Sequence, residues 1–286
     1  MAATDHKTTP LVSVVVTTRN SGAFLRACLE SARRQDYPHR EVVVVDNGST
    51  DATMAIAHEL ADIVLTGGPE RSAQRNAGIR AAHGDWVAIV DADMVLDPDV
   101  VSSCVAAATA SGARAVHIPE VSFGAGFWSR CRAFERSFYL HDPIVTAARF
   151  FDRARLLELG GYDESLTGGE DWDMSMRASE DGQVVFSKGV IRHDEGRPTL
   201  PVLFAKRYYY ARSWPAFVRK HGSAALARLT PARRALWRNV GRMVLHPVLG
   251  SGVIVMKSVE SAGALLGMMN ARSADRATRD AASAKR

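Results

Sequence analysis

The chain has 286 residues, of which 47% are hydrophobic and 23% are charged. This composition is typical of a soluble globular protein and excludes a mostly disordered chain. The length is sufficient for one large domain or two small ones, with enough residues to bury a hydrophobic core.

The net charge of +5 is unevenly divided along the chain. Residues 1–199 contain 20 Lys and Arg against 28 Asp and Glu, whereas residues 200–286 contain 16 against 3. A basic segment of this kind is typical of a region that contacts an anionic membrane, a phosphate-bearing acceptor or nucleic acid. Nucleic acid is the least favoured of these partners, because no recognised nucleic-acid-binding motif accompanies the charge.

The cysteines and the N-terminus both bear on the cellular compartment. Cys28, Cys104 and Cys131 are odd in number and widely spaced, which argues against a disulfide framework and favours a reducing compartment. The N-terminus lacks the basic segment and apolar core of a secretory signal. We therefore expect a cytoplasmic protein.

The basic region contains one uncharged stretch, Met243–Met256, which has 14 residues. A spanning helix needs roughly 20 apolar residues, so this stretch is too short to cross a membrane. Because Arg233, Arg234, Arg238 and Arg242 precede it at near-helical spacing, it favours a helix lying on the inner face of the cell membrane. A helical hairpin that packs on the protein, or on a homodimer partner, would show the same pattern.

The first hundred residues alternate between short apolar strands and helices. Strands are predicted at Leu11–Thr17, Glu41–Val45, Asp62–Leu65, Trp86–Val90 and Ala113–Ile118. Helices are predicted over residues 22–34, 50–60, 72–82 and 98–110. Continuous apolar strands separated by helices indicate a mostly parallel α/β sheet that is covered on both faces. Ligands bind such sheets at the carboxyl ends of the strands.

Acidic residues follow two of these predicted strands. Asp46 closes the second strand, and Asp91 and Asp93 close the fourth, so we expect all three on one rim of the sheet. Residues two apart at a strand end point to the same side, so both Asp91 and Asp93 can approach one Mg²⁺ or Mn²⁺ ion. A solvated acidic loop or a helix cap would show the same pattern.

Three further segments contain candidate site residues. Arg71 and Arg75 lie four apart at a helix start, where they would face an anion, although an exposed polar face is the favoured alternative. Glu170 and Asp171 follow two glycines at another helix start, where a carboxylate can act as a general base or simply cap the helix. His193 is a candidate metal ligand, although a lone histidine is more often structural.

In chain order, these segments resemble the family 2 glycosyltransferases of the GT-A fold. The segments that carry the resemblance are Ser13–Asn20, Asp46–Asp51, Arg71–Ile79, Gly84–Asp93 and Gly160–Trp172. The resemblance extends over roughly 11–196. It implies a GT-A nucleotide-sugar-binding and catalytic domain over residues 1–199. A helical, basic region over residues 200–286 would then contact the acceptor, a membrane or another copy of the chain.

The resemblance also implies roles for individual residues. Those that would bind the nucleotide sugar are Thr17, Arg19 and Asp46 at the base, Asp91 at the ribose, Arg75 at the base or diphosphate, and Glu170 at the sugar or diphosphate. Those that would hold Mn²⁺ or Mg²⁺ are Asp93 and His193. Asp171 is the implied catalytic base. Lys206 and Arg207 follow the motifs and would contact the diphosphate or the acceptor, unless they form a merely basic face.

The expected function is a metal-dependent, inverting transfer of a sugar from a nucleotide sugar, most simply a UDP-sugar, to a hydroxyl of a glycan or lipid-linked acceptor. A sugar-phosphate nucleotidyltransferase is an alternative, but Thr17–Gly22 lacks the glycine-rich phosphate loop of that class. A non-catalytic nucleotide-sugar-binding protein is the other alternative. The presence of Asp91, Asp93 and Asp171 argues against it, although likeness of fold does not prove activity.

Overall fold

The computed structural model describes residues 9–180, 182–229 and 236–283. Strands in this part of the chain form two sheets. They are β1 Val12–Thr18, β2 Arg40–Asp46, β3 Ile63–Thr66, β4 Trp86–Asp91, β5 Met94–Leu96, β6 Ala115–His117, β7 Glu120–Phe123, β8 Ala148–Asp152, β9 Val184–Phe186 and β10 Ile191–Asp194.

Helices lie between and after the strands. They are α1 Leu25–Arg33, α2 Thr53–Leu60, α3 Arg71–Ala81, α4 Val100–Ser111, α5 Phe127–Arg136, α6 Arg153–Glu158, α7 Glu170–Ser179, α8 Leu200–Ala211, α9 Trp214–His221, α10 Ser223–Leu229, α11 Val240–Leu245 and α12 Pro247–Ser283. From Leu200 onwards every described element is a helix.

The larger sheet has the strand order β3-β2-β1-β4-β8-β6-β9. Its strands are parallel except for β8, which runs antiparallel to its neighbours β4 and β6. The mostly parallel sheet predicted from the sequence is therefore confirmed. The smaller sheet, β5-β10-β7, was not predicted, because strands of three or four residues are too short to show a period of two.

Both faces of the larger sheet are buried, which explains its continuous runs of valine. Val14 and Val16 pack with helices α1, α2 and α4 on one face. Val15, between them in sequence, packs with α3, α6 and α7 on the other. Since successive side chains of a strand point to opposite faces, a strand covered on both sides must be apolar at every position.

The long helix α12 extends the apolar stretch that the sequence predicted. Its segment Pro247–Ala271 is long and apolar enough, by length and composition, to cross a membrane, and it is partly buried against the protein. The expectation that the apolar stretch is too short to cross a membrane is therefore wrong as to length, because the stretch continues past Lys257 and Glu260, and Glu260 is buried against the protein. Arg233 and Arg234 lie outside the described residues.

Helix α3 approaches the sheet closely at Gly78. A Cβ atom at this position would overlap the Cγ1 methyl of Val15 and lie 3.2 Å from Cγ2 of Val45. Glycine is therefore required here for packing, since the strands beneath are buried and cannot move aside.

We expect Gly78→Ala to lower the free energy of unfolding by about 1–3 kcal/mol, because the added methyl group overpacks the core. The matched control is Gly241→Ala in α11, where a Cβ meets nothing within 4 Å. That variant should be neutral or more stable by up to about 1 kcal/mol. Urea denaturation measures both, and equal stability of the two variants would contradict this account of α3.

Candidate active site

The carboxyl ends of β1, β2 and β4 form a polar edge of the larger sheet. The register pairs Thr18 with Asp46 and Thr17 with Asp91, so the three strands end at the same level. Thr17 and Asp46 are buried, whereas Arg19 is exposed beyond the end of β1. The prediction that the two acidic turns share one rim is therefore confirmed.

Helix α3 is attached to this rim by consecutive polar side chains. Gln74 donates from Nε2 to the carbonyl oxygens of Thr18 at 2.9 Å and Val45 at 2.8 Å, at the ends of β1 and β2. Asn76 donates to the carbonyl oxygen of Tyr162 at 2.9 Å and accepts from its backbone N–H at 2.7 Å. The sequence favoured an exposed polar face at the start of this helix. That prediction is wrong, because the side chains of Gln74, Arg75 and Asn76 are buried.

Arg75 lies between these two residues, is fully buried, and contacts three carboxylates. Its Nη1 lies 2.5 Å from Oδ1 of Asp171 and 3.2 Å from Oε1 of Glu170. Its Nη2 lies 2.9 Å from Oδ1 of Asp91. The guanidinium group also lies over the ring of Tyr162, 5.0 Å from the ring centre. One side chain of α3 thus connects the end of β4 with the start of α7.

The carboxylates around Arg75 differ in their ionisation. Burial alone would raise the pKa of Asp91, but Arg75 and Arg149 outweigh burial and hold this pKa far below its ordinary value. For Glu170, burial and the neighbouring Asp171 carboxylate raise the pKa in spite of the nearby arginines. Asp91 is therefore fixed as an anion, whereas Glu170 takes up a proton more readily than an exposed glutamate.

Two charged residues of the site, Arg149 and Glu120, lie outside the predicted motifs. Nη2 of Arg149 lies 3.4 Å from Oδ2 of Asp91 and 3.9 Å from Oδ2 of Asp171, and its Nε lies 2.5 Å from Oε1 of Glu120. Arg149 stands beside the buried Phe150 and Phe151 in β8, Ala148–Asp152. Because a buried charge needs a partner, a lone arginine in such a run is a signal that could have found it.

Asp93 and His193 meet next to Glu120. Asp93 lies in the turn between β4 and β5, and His193 lies on β10, which pairs with β5. Nε2 of His193 is 3.2 Å from Oδ2 of Asp93. The carboxylate of Asp91 faces Arg75 and Arg149, whereas that of Asp93 faces His193. That both carboxylates approach one cation stays a prediction.

The Asp93–His193 pair is compatible with a divalent cation that is also bound by a ligand. Among the described residues, no group of three or more His, Cys, Asp or Glu side chains is arranged to hold a metal ion alone. The buried Nδ1 of His193 has no hydrogen-bond partner but lies 3.7 Å from Oε2 of Glu120. In a histidine that binds a metal through one ring nitrogen, the other ring nitrogen usually faces a carboxylate, a carbonyl or water.

Protonation of His193 competes with metal binding at this pair. Burial would lower the pKa of His193, but the carboxylates of Asp93 and Glu120 outweigh burial and raise the pKa to about 9. A metal ion at Nε2 would have to displace this proton, so metal binding would release a proton and become tighter as the pH rises.

A cavity of about 260 Å³ opens beside Asp171, whose side chain is 24% exposed. Trp172, Tyr210 and Trp214 contribute aromatic walls, and Arg207 contributes a positive charge. Its neighbour Lys206 is exposed on α8, away from the cavity lining. The arrangement can hold a polar ligand with flat apolar faces next to a carboxylate that is able to accept a proton.

Comparisons with known proteins agree with this geometry. The model of the family described as "Glycosyl transferase family 2" matches residues 13–158. The chain belongs to glycosyltransferase family 2. A second model, "Glycosyl transferase family group 2", matches residues 86–271 and so extends into the helices after Leu200. The family predicted from the sequence motifs is confirmed.

Solved structures resemble this family 2 protein in fold. A mannosyltransferase from Pyrobaculum calidifontis, in complex with GDP-Man and Mn²⁺, superimposes with a TM-score of 0.62 over 93% of this chain and 86% of its own, at 19% identity. S. aureus TarS, in complex with UDP-GlcNAc, superimposes with a TM-score of 0.55 over 94% of this chain and 92% of that one, at 16% identity. At these identities the likeness shows the fold alone, and the predicted GT-A fold is confirmed.

Curated relatives match a shorter part of the family 2 chain. The "Putative glycosyltransferase EpsH" of Bacillus subtilis is 37% identical over 97 residues, which are 32% of this chain and 28% of the relative. The "Succinoglycan biosynthesis protein ExoO" of Rhizobium meliloti is 38% identical over 110 residues, 37% of this chain and 32% of the relative. The matched parts thus amount to less than a third of either relative.

We expect Arg75→Met to lower the free energy of unfolding by about 3–5 kcal/mol, because three carboxylates lose their buried cation. The loss should be larger at about pH 7, where carboxylates are ionised, than at about pH 4. The control is Arg33→Met, which removes an arginine that is 47% exposed and pairs with Asp62. That change should cost less than about 1 kcal/mol. Similar losses in the two variants, measured by urea denaturation, would rule out a special role for Arg75.

Proposed function

We propose that this chain is a metal-dependent, inverting glycosyltransferase that uses a nucleotide sugar, with a UDP-sugar as the first candidate. The observation that carries the proposal is the position of Asp171 in the cavity wall, fixed by Arg75, together with the Asp93–His193 pair. A base on the acceptor side and a metal pair on the leaving-group side are what such a transfer requires. Residues 1–199 would carry the catalysis and residues 200–286 would contribute to acceptor binding.

The nucleotide would lie along the carboxyl ends of β1, β2 and β4. Thr17 and Arg19 at the end of β1, together with Asp46 at the end of β2, would receive the base. Asp46 accepts hydrogen bonds from the backbone N–H of Ser49, at 2.8 Å, and from its hydroxyl group, and so gives the turn a fixed shape. Asp91 would contact the ribose. The preference for UDP is supported only by TarS, whose structure holds UDP-GlcNAc.

Asp93 and His193 would hold Mn²⁺ or Mg²⁺ together with diphosphate oxygens and water. The bound cation would neutralise the charge that develops on the departing diphosphate. Because Arg75 is fully buried against carboxylates, it would position Asp171 instead of contacting the base or the diphosphate. Glu170, which lines the cavity, would face the sugar or the diphosphate. The Pyrobaculum mannosyltransferase structure, which holds GDP-Man and Mn²⁺, supports a metal-bound donor.

Asp171 would act as the general base. Its Oδ1 accepts from Arg75, so Oδ2, which lies 3.9 Å from Arg149, is the oxygen available to an acceptor hydroxyl. As the acceptor oxygen bonds to the anomeric carbon, its proton passes to Asp171 and the bond to the diphosphate breaks. Attack from the face opposite the diphosphate inverts the anomeric centre.

The acceptor would occupy the cavity beside Asp171. Trp172 and Trp214 offer flat faces to a sugar ring, and Arg207 offers a cation to a phosphate group. A glycan or a lipid-linked saccharide would fit this chemistry. Lys206 does not line the cavity, so Arg207 is the proposed contact of the two. The buried, free cysteines are compatible with the proposed cytoplasmic location.

We expect Asp93→Asn to weaken Mn²⁺-dependent binding of UDP by roughly tenfold to 100-fold, because the metal loses a charged ligand. Asp171→Asn should retain UDP binding but lower the rate of sugar transfer by about 10²–10⁴-fold, because the base is lost. Calorimetry with UDP and Mn²⁺ measures the first effect. Transfer or hydrolysis assays across UDP-, GDP- and dTDP-sugars measure the second.

The matched control for both variants is Asp97→Asn. Asp97 follows β5 and pairs with Arg192 of β10 at 2.6 Å, next to the site but outside it. This variant should bind UDP and transfer sugar like the wild type. Near wild-type transfer by Asp171→Asn would exclude Asp171 as the base, and Mn²⁺-independent UDP binding would exclude the metal pair.

A further inference from the structure

The segment Pro247–Ala271 of α12 has its charged residues on the side that faces the protein, the reverse of an ordinary surface helix. Within Pro247–Ala271, which the structure describes throughout, the charged residues are Lys257 and Glu260. Glu260 is 5% exposed, and Lys257 pairs with the buried Glu135 of α5 at 2.6 Å. A surface helix normally presents its polar face to solvent and its apolar face to the core. Here the charges point inward.

Buried ion pairs and close packing attach this helix to the protein. Glu260 contacts Arg132 of α5 and lies 3.4 Å from Arg207 of α8. Gly252, Gly263 and Gly267 let the helix lie directly against α5 and α8, since a Cβ at any of them would overlap atoms of those helices. The segment Pro247–Ala271 therefore packs against α5 and α8 along the protein surface.

The outward face of α11 and of Pro247–Ala271 is exposed and largely apolar, and its polar members after Pro247 are Ser251, Ser258, Ser261 and Asn270. Its residues between 247 and 271 are uncharged, and their exposed large members are Val248, Ile254, Val255, Leu265, Leu266 and Met269. In and before α11, Val244, Leu245 and Trp237 continue the patch and are each more than 70% exposed. The 25 residues of Pro247–Ala271 span about 37 Å at 1.5 Å per residue. An exposed apolar face of this size marks a contact with a partner or a membrane.

We propose that this outward face, formed by Trp237 and by the exposed apolar residues of α11 and α12, lies in the surface of an anionic lipid bilayer. Basic residues accompany the face in sequence, since Arg238 and Arg242 lie between Trp237 and Val244, and Arg272 follows Ala271. Residues 200–286 as a whole have 16 basic against 3 acidic residues. Anionic lipid attracts such a region, whereas a second copy would bring two equally basic surfaces together. Tryptophan beside the apolar stretch is typical of the headgroup level.

The bilayer contact would place the cavity close to lipid. Arg207 lines the cavity and also contacts Glu260 on the inner face of α12, so one side chain separates the site from the helix. An acceptor that is itself anchored in the bilayer would then reach Asp171 without leaving the membrane. The membrane contact does not depend on the donor or on the metal, so it can fail while the proposed transfer reaction stands.

The test is flotation of the full chain with vesicles of phosphatidylglycerol and phosphatidylcholine, compared with phosphatidylcholine alone. We expect the wild type to float with the anionic vesicles. The substitutions Val248→Glu and Leu265→Glu should each reduce vesicle binding by roughly tenfold or more, because a carboxylate enters the apolar contact. The matched control is Leu157→Glu on α6, whose leucine is also exposed and lies outside α11 and α12. It should float like the wild type.

Thermal melting and UDP binding of each variant show whether it is folded. Folded Val248→Glu and Leu265→Glu that float like the wild type would overturn the proposal, as would a wild type that stays with the soluble fraction. A wild type that is dimeric by light scattering and does not bind vesicles would identify a second copy as the occupant. Resistance of the wild-type membrane fraction to alkaline carbonate would indicate a spanning helix and also overturn it.

Discussion

A guanidinium group can be buried only if carboxylates surround it, and this requirement governs the centre of the molecule. Arg75 is fully buried, and Asp91, Glu170 and Asp171 supply the compensating charge. These residues come from the end of β4 and the start of α7, which are distant in sequence. The docking of α7 on the sheet and the position of Asp171 in the cavity are therefore consequences of one ionic cluster.

The ionic contacts also differ between the carboxylates of Asp91, Asp171 and Asp93, and so do the roles that we assign to them. Both oxygens of Asp91 face arginines, so this residue mainly holds Arg75 and Arg149 in place. Asp171 shares Arg75 but reaches the cavity, and Asp93 stands apart with His193. Buried ion pairs occur again under α12, where Glu260 holds the helix to α5 and α8. Buried ion pairs between α5 and α12 thus connect the acidic segment, residues 1–199, with the basic segment, residues 200–286.

The sequence was most informative where residues follow a regular period. The strands ending at Thr18, Asp46 and Asp91 could be predicted because buried valines mark them, and their shared rim follows from parallel topology. Glu120 could not be predicted, because its strand is short and its partners are far away in the chain. Arg149 was missed, although an arginine beside two buried phenylalanines is a signal of a buried charge. The apolar stretch in α12 was predicted to be too short, because Lys257 was taken to interrupt it. A sequence does not show on which side of a helix Lys257 lies until its partner Glu135 is known.

The coupling between Arg75 and Asp171 tests this account most directly. A double-mutant cycle with Arg75→Met and Asp171→Asn, measured as the free energy of unfolding in urea, isolates the interaction of the two side chains from their other contacts. We predict a coupling of about 1–3 kcal/mol, as found for groups within one ionic network. A coupling below about 0.5 kcal/mol would mean that the two residues act independently. It would contradict the claim that Arg75 positions Asp171, the proposed catalytic base.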